Sequence, residues 1–354
     1  MDITMIGAKN FDEIGGIEVH IKEISLRLVE KGYCVNTIIN NMDKKASYER
    51  IGGVNVYRVP CLHSRYTTKI SMLPSVLLKA KKLKTDIYHA HDVVGGFGSA
   101  LFLNEKPLVY TAHGIGYART DWPVPIRLSL WTMEQLLFRK ANKLLTVDNQ
   151  TEGVLNKIRN DVKVISNGVD LDRFKEEREV PKEFDPDKIK IIFAGRLIPT
   201  KGVHILIESF NEDDAELYII GRGSEEKQIK KSIQNKHNIK FIGFVNDIVP
   251  YFQHADMFVL PSIYEGLPIA LLEAMAAETA CISFKIADLE RRFRHMQDIY
   301  FTSAETLSHS ISELVANDQL RTKIAKNSKE KIRWEYTWDK ITDTLVNVYE
   351  GVCP

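Results

Sequence analysis

Two carboxylates, Glu265 and Glu273, stand eight positions apart in YEGLPIALLEAMAAE, Tyr264 to Glu278, on either side of Pro268. Proline is tolerated in the first turn of a helix, where its missing N–H is not needed. Ala270, Leu271, Leu272, Ala274, Met275, Ala276 and Ala277 then favour helix strongly. The pattern predicts Glu265 on the loop entering a helix and Glu273 inside it, within about 80° of one another around the axis. Between them lie Gly266 and the first N–H groups of the helix, around Leu267, Pro268 and Ile269, a ready anion site. Both acids could then face a ligand whose negative part rests at the helix start. The plain alternative is a solvated acid and a helix-cap acid on an ordinary helix, and this segment alone does not choose.

Other loops of the second half add to the pattern. AGRLIPTKG sets Arg196 and Lys201 five positions apart beside Gly195, which lets a backbone approach a ligand. A planar guanidinium fork and a mobile ammonium suit a diphosphate. IGRGS puts Gly221 and Gly223 at a strand end, where a flat ring could lie against the backbone, and GFVND offers backbone groups to a base edge near Val245. Carboxylates accept hydrogen bonds from paired sugar hydroxyls. Singly each loop is weak, since Gly-x-Gly is a common turn and Arg or Lys at a strand end is often a surface pair. Their order and spacing together are more specific.

Positioning these loops takes a chain of ordinary globular composition. Its 354 residues fit two domains, and 44% hydrophobic with 27% charged residues is normal for a soluble protein. No run of 18 apolar residues offers a membrane span. Met1-Asp2-Ile3-Thr4 leads straight into a strand-like stretch, so no secretory signal is expected. Cys34, Cys61, Cys281 and Cys353 are scattered, which suits a reducing cytosol and argues against disulfides or a zinc site. The net charge of +1 hides an asymmetry: residues 1–168 carry 23 Lys and Arg against 16 Asp and Glu, a net +7, and the remainder carries −6. A basic first half could meet an anionic membrane surface or an anionic acceptor. LLKAKKLKT, Leu77 to Thr85, behind the apolar ISMLPSV, reads as an interfacial helix or as a solvated helix face. The expected location is cytoplasmic, with peripheral contact at the inner face of the membrane and no nucleic-acid partner.

Strand-like and helix-like segments alternate twice along the chain. In the first half DITMIGA, CVNTIIN, VNVYRVP, DIYHAHD, PLVYTAHG and KLLTVD read as strands. IEVHIKEISLRLVEKG has Ile17, Ile21, Ile24 and Leu28 at helical spacing with a stop at Gly32. In the second half KIKIIFAGRL, AELYIIGRG, IKFIGFV, DMFVLPS and ACISF are strands separated by helical segments. Strands alternating with helices mean a parallel sheet, with ligands at the carboxyl ends of its strands. The predicted fold class is therefore α/β, two doubly wound Rossmann-like domains facing across a cleft, at residues 1–168 and 169–335, with a final helix in 336–354 that packs back on the first. The charged segment Lys175 to Lys188 looks like the domain linker.

VISNGVDLDRF, AGRLIPTKGVHILIESF, ELYIIGRGSEEKQIKK and PSIYEGLPIALLEAMA resemble the large family of retaining nucleotide-sugar glycosyltransferases with the GT-B fold, the clan of glycogen and sucrose synthase relatives. IGGIEVHIKEISLRLVEKG is similar to that family's Gly-Gly loop and first helix. With TAHGIGYARTDWP and TMEQLLFRKANKLLTVD, it resembles the bacterial rhamnosyltransferase-like subgroup of capsule and O-antigen enzymes. The resemblance spans nearly the whole chain. It implies a retaining, metal-independent transfer of a sugar from a nucleotide-diphosphate donor to a saccharide or lipid-linked acceptor, with no cofactor. It further implies that Arg196 and Lys201 bind the donor diphosphate, Glu273 the ribose hydroxyls and Glu265 a hydroxyl of the sugar. Gly16 would let the first-domain loop approach the phosphates, and His113 would sit against the sugar.

Other readings fit less of the pattern. A glycosidase also needs two carboxylates, but here both share one segment beside diphosphate-type cations. Asp170-Leu171-Asp172 mimics a metal-binding Asp-x-Asp, yet follows Asn167-Gly168-Val169 at the domain junction, where the resembled family has such acids without a metal role. His89, His91 and His113 could suggest a metal cluster, but their spacing gives no ligand signature and lining of a cleft is favoured; His113 is alternatively a core histidine. A dinucleotide-binding Gly-x-Gly-x-x-Gly is missing from MIGAKNFDEIGG. Two alternatives remain: a nucleotide-sugar 2-epimerase, and a non-catalytic nucleotide-sugar-binding subunit. The second gains weight from CISFKIADLERRFRHMQDIYF, which has no glycine where the resembled family often continues with a Gly-rich loop.

Overall fold

The structure, a computed structural model, describes residues 1–8, 10–11, 15–41, 46–62, 68–118 and 122–353. Parts of the Gly-Gly loop (12–14) and of the ARTD stretch (119–121) that carried the resemblance lie outside them. Two compact units divide the chain: unit 1 is Met1–Asn167 with Trp338–Pro354, and unit 2 is Gly168–Thr337. The sequence reading had set these boundaries at 168/169 and 335/336.

Unit 1 is built on eight strands: β1 (Asp2–Ile6), β2 (Cys34–Asn41), β3 (Ser47–Ile51), β4 (Val54–Pro60), β5 (Ile87–Ala90), β6 (Leu108–Ala112), β7 (Lys143–Thr146) and β8 (Lys163–Val164). Their order is β3-β4-β2-β1-β5-β6-β7-β8. All pairs are parallel except β3–β4, a hairpin closed through Gly52-Gly53. The residues of β5 and β6 are buried throughout, as strands covered by helices on both faces must be. Sequence reading missed β3, because its mostly exposed Ser-Tyr-Glu-Arg-Ile pattern belongs to a polar sheet edge with little apolar signal.

The expected first helix runs from Gly16 to Glu30 and buries Ile21, Ile24 and Leu28, and also Glu18 and His20. The final helix, Trp338–Val352, packs beside it and buries Trp338, Ile341, Leu345, Val348 and Tyr349. Lys31 and Asp343 form an ion pair of 2.6 Å between the two helices.

Unit 2 has six strands, all parallel: β9 (Ile189–Ala194), β10 (Ala215–Ile220), β11 (Ile239–Gly243), β12 (Met257–Leu260), β13 (Ala280–Phe284) and β14 (Tyr300–Thr302), in the order β11-β10-β9-β12-β13-β14. Apolar layers cover both faces. One includes Ile192, Tyr218, Phe258, Leu271 and Met275, the other Ile191, Leu217, Val259, Leu206 and Ile311. The glycine-free stretch after Cys281 forms β13, a helix over Ala287–Arg292 and β14.

The linker reading of Lys175–Lys188 is corrected. This segment belongs to unit 2, and the chain passes between units at Asn167/Gly168 and Thr337/Trp338. Its dense charge points to water, but Phe184 is buried against Tyr218, with ring centroids 4.5 Å apart, and against Tyr251. One aromatic anchor outweighs a run of solvated charges in fixing where a segment lies. Among the described residues, no helix is long and apolar enough to cross a membrane.

Candidate active site

At the carboxyl edge of the unit 2 sheet, backbone bonds stitch the loops together. Gly195 N–H donates to Ile220 O at 3.1 Å, Leu197 N–H to Arg222 O at 2.9 Å, Gly221 N–H to Gly243 O at 2.8 Å, and Ile263 N–H to Thr200 O at 3.0 Å. The loops after β9, β10, β11 and β12 therefore form one continuous rim. Gly221 and Gly223 have a reason internal to the protein. Gly221 has φ +142°, and an added Cβ would lie 1.9 Å from Gly195 O; at Gly223 it would lie 2.2 Å from Leu197 O. Close packing of loop on loop already requires glycine at both positions.

The two acids of YEGLP…LLEA sit as separate halves of two ion pairs. Glu265 is paired with Lys201, and both side chains are mostly buried. Glu273 is paired with Arg173, whose side chain is 41% exposed. Pro268 is not in the first turn: it is the N-cap, with ψ 132°, and the helix runs from Ile269 to Ala276. Residues 265–268 thus precede the helix, with a bend at Gly266-Leu267, and the 80° angle derived from a continuous helix does not apply. The residue before a proline is steered away from helical geometry, and buried Leu267 then anchors the loop in the core.

Of the remaining expected residues, Arg196 is exposed and makes no ion pair among the described residues. Val245 is half-buried against the core, and beside it the Arg222 guanidinium lies 4.5 Å from the centroid of the Phe244 ring. Asp170 caps a short 3-10 turn, accepting from Asp172 N–H at 3.1 Å, and Asp172 pairs with Lys175 at 2.7 Å. The Asp-x-Asp pair is therefore occupied locally. Arg173 was missed as a site residue; it lies in the quoted VISNGVDLDRF, but nothing in the spacing links it to a glutamate 100 positions away.

In unit 1 the imidazoles gather at the carboxyl ends of β5 and β6. His89 bonds Tyr349 Oη through Nδ1 at 2.6 Å and Thr111 Oγ1 through Nε2 at 2.8 Å. His91 Nδ1 lies 3.1 Å from His113 Nε2. The fourth ring, His20, comes from the helix Gly16–Glu30, and its Nδ1 lies 3.0 Å from Asn167 Oδ1. Its ring stands edge-on to His91, His113 and Trp338. Ligand nitrogens of His20, His91 and His113 all lie within 4.8 Å of one another. This is the one His, Cys, Asp or Glu grouping among the described residues that could hold a metal ion. The sequence reading paired His113 with His89 and His91 and did not include His20, which arrives from a helix far away in the chain. Burial lowers these basicities: His20 to about 4, His89 to about 3, and His91 and His113 well below the ordinary imidazole value. All four are neutral at pH 7. At Gly16 an added Cβ would meet nothing within 4 Å.

A second unforeseen residue supports the loop after β6. Glu134, on the helix Val124–Lys140, is fully buried, and its two oxygens accept the N–H groups of Gly116 at 2.8 Å and Tyr117 at 3.2 Å. Burial pushes its carboxyl up to about 7, against the lowering effect of those two bonds.

Residues 174–331 match the family described as Glycosyl transferases group 1, and residues 14–173 match Glycosyltransferase Family 4. An uncharacterized glycosyltransferase of Methanocaldococcus jannaschii is 27% identical, over 95% of this chain and 94% of the relative. The Escherichia coli UDP-Gal:alpha-D-GlcNAc-diphosphoundecaprenol alpha-1,3-galactosyltransferase is 25% identical over 84% of each chain. Among solved structures, sucrose-phosphate synthase from Thermosynechococcus elongatus superposes with a TM-score of 0.85 at 18% identity, over 99% of this chain and 98% of that one. The two Rossmann-like α/β units are those of the GT-B fold.

Two outcomes follow from unit 1. In Glu134→Gln one acceptor oxygen becomes an amide that cannot accept, leaving a buried N–H unmatched. This should cost about 1–3 kcal/mol, read as a lower midpoint of thermal unfolding; an unchanged midpoint would show that the carboxylate does not hold the loop. The second outcome concerns pH. The folded-state values of the histidines lie below that of exposed imidazole, so on acidification the unfolded chain takes up protons first. Stability is whole above about pH 6.5 and falls below it, until about pH 4 for His20 and about 3 for His89. Each group contributes up to about 1.4 kcal/mol per pH unit in its window. Glu134, raised in the fold, acts in the opposite sense between about 7 and its ordinary value of 4.5, offsetting part of this. Unfolding midpoints measured from pH 7.5 to 5 should therefore decline, and a rise would contradict neutral burial of the four rings.

Proposed function

We infer, from the premise that residues 174–331 belong to the Glycosyl transferases group 1 family and residues 14–173 to Glycosyltransferase Family 4, that this two-domain glycosyltransferase moves a sugar from a nucleoside-diphosphate sugar to a saccharide or lipid-linked acceptor with retention of configuration. The Lys201–Glu265 pair on the rim of the unit 2 sheet carries the reading. Without donor, each charge satisfies the other. A donor can exchange the pair for better-matched partners, with phosphate oxygens on Lys201 and Arg196 and a sugar hydroxyl on Glu265. Glu273, oriented by Arg173, takes the ribose hydroxyls, and Gly221, Gly223 and the loop at Val245 border the base. His113 is assigned a hydrogen bond to the transferred sugar, and Gly16 the close approach of backbone to phosphate.

As the sugar–phosphate bond breaks, negative charge grows on the diphosphate. Fixed cations and the start of the helix Ile269–Ala276 then stabilise the transition state more than the ground state. The acceptor enters on the side of the leaving group, whose phosphate oxygen serves as base. Arg196 and Lys201 supply the charge that a metal would otherwise provide, so the reaction is read as metal-independent. The Escherichia coli relative's UDP-Gal donor and diphosphoundecaprenol-linked acceptor support a nucleotide sugar and a lipid-linked saccharide here, in synthesis of a cell-surface polysaccharide.

A lipid-linked acceptor favours contact with a membrane surface. On the helix Thr68–Lys82, Ile70, Pro74 and Leu78 repeat every four residues and are exposed, and Lys81 and Lys82 are exposed beside them. Apolar side chains flanked by cations suit an anionic interface. Phe102 is also exposed, on the helix Val93–Phe102 packed next to it, as are Val124, Leu128 and Trp131 on the helix Val124–Lys140 packed against that one.

Two measurements test this. A panel of nucleotides and nucleotide sugars should raise the thermal midpoint for one nucleoside diphosphate and its sugar. Glu273→Ala should lose that shift, and Lys201→Ala should lower transfer about 100-fold or more; Lys201→Ala with normal turnover would sink the diphosphate assignment. In sedimentation with vesicles, the protein should bind those containing anionic lipid, and the double variant Ile70→Glu, Leu78→Glu should not. Equal binding by both proteins would place membrane contact elsewhere or nowhere.

A further inference from the structure

The buried imidazole group contains a hydrogen-bond asymmetry that fixes the chemistry of one ring. Each neutral imidazole has one N–H and one lone pair, and the nitrogen carrying the proton follows from its surroundings. His91 Nε2 is buried, without accessible surface, and has no partner. Its ring lies over His89, with centroids 4.0 Å apart, and both nitrogens of His89 are taken by Tyr349 and Thr111. A buried N–H without an acceptor is rarer and more costly than a buried lone pair without a donor. The proton of His91 therefore sits on Nδ1, the nitrogen 3.1 Å from His113 Nε2. The lone pair of His113 Nε2 receives it, which leaves the proton of His113 on Nδ1.

We propose that His91 is a positioning residue that, by donating from Nδ1 to Nε2 of His113, holds His113 as an Nδ1–H donor and removes its only basic nitrogen from the reaction. The consequence rests on the glycosyltransferase reading above. His113 can then hold an oxygen of the donor, a sugar hydroxyl or a phosphate oxygen, but cannot take the proton of the attacking acceptor hydroxyl. In a balanced transfer the acceptor oxygen bonds to the anomeric carbon, the carbon–phosphate-oxygen bond breaks, and the hydroxyl proton goes to the departing phosphate. The surroundings keep His91 in place: its backbone N–H donates to Ile6 O at 2.8 Å, and its ring is bounded by His89 and, edge-on, by His20. An amide oxygen only accepts, so the Asn167 contact places the proton of His20 on Nδ1. His20 thus turns a second lone pair toward the group and has no proton on Nε2 to compete for His113.

The test is direct observation of the tautomers. In the full chain with ¹⁵N-labelled histidine, long-range proton–nitrogen correlation at pH 7.5 should show His113 protonated on Nδ1 and bare on Nε2. The ten histidines are assigned by single replacement. His113 protonated on Nε2 in the wild-type protein overturns the proposal. His91→Phe should shift His113 toward the Nε2–H form and lower kcat about tenfold or more with donor KM little changed. His91→Asn, whose amide places a donor close to that of Nδ1, should restore both the tautomer and most of kcat. A His91→Phe protein with the wild-type His113 tautomer would also overturn it. One equivalent of Zn²⁺ should leave the spectrum unchanged; displacement of the shared proton by metal at His20, His91 and His113 would replace the hydrogen bond with a metal site. If the tautomers are as stated but no nucleotide sugar is consumed, the transfer reading falls and the assignment of the rings stands.

Discussion

Parallel strands cannot be joined by a two-residue turn; each connection must cross back over the face of the sheet, usually as a helix. Every strand pair among the described residues is parallel except β3–β4. The loop that follows each parallel strand of a sheet is consequently delivered to the same edge. In unit 2 this brings Arg196 and Lys201, Gly221 and Gly223, Val245 and Glu265 to one rim from segments spread over about 70 positions. In unit 1 it brings His91 and His113 together from β5 and β6. In unit 2 the backbone bonds between neighbouring loops make the rim a continuous surface.

The two rims handle charge in opposite ways. That of unit 2 keeps ionised groups in matched pairs with partial access to water, Lys201 with Glu265 and Arg173 with Glu273. For the mostly buried Lys201–Glu265 pair desolvation offsets much of the attraction, and a ligand's charges can take a partner's place. The rim of unit 1 holds uncharged imidazoles, His89, His91 and His20 buried and His113 half-buried, where what matters is which nitrogen has the proton. Glu134 lies between these cases: it is buried with no cation paired to it among the described residues, held by two backbone N–H groups, and pushed by burial up to about 7.

The repeated alternation of apolar strands and amphipathic helices was legible in the sequence because period 2 and period 3.6 leave different marks. So was the Glu265–Glu273 segment, whose helix formers are local. The rest depends on contacts that local pattern does not encode. The strand β3 has a sheet edge for its environment and therefore little apolar signal. Lys175–Lys188 reads as a linker unless one knows that Phe184 finds Tyr218 and Tyr251. His20 sits at helical spacing and looks like any half-polar helix residue, and only tertiary packing reveals that its ring meets His91 and His113. Gly221 and Gly223 were legible as special positions; that neighbouring carbonyls require them was not.

The helix Trp338–Val352 belongs to unit 1, although all of Gly168–Thr337 separates it from the rest of that unit. During synthesis the first 167 residues leave the ribosome without Trp338 against His20 or Tyr349 bonded to His89. Unit 2, which is continuous in the chain, emerges whole before that helix does. The usual order, in which an N-terminal domain folds first, is therefore inverted for the final packing step: the part made first is the last to be completed. Until then the neutral imidazoles of unit 1 lack the closure that keeps them dry, and a nascent chain stalled before residue 338 carries an unfinished first domain beside a finished second one.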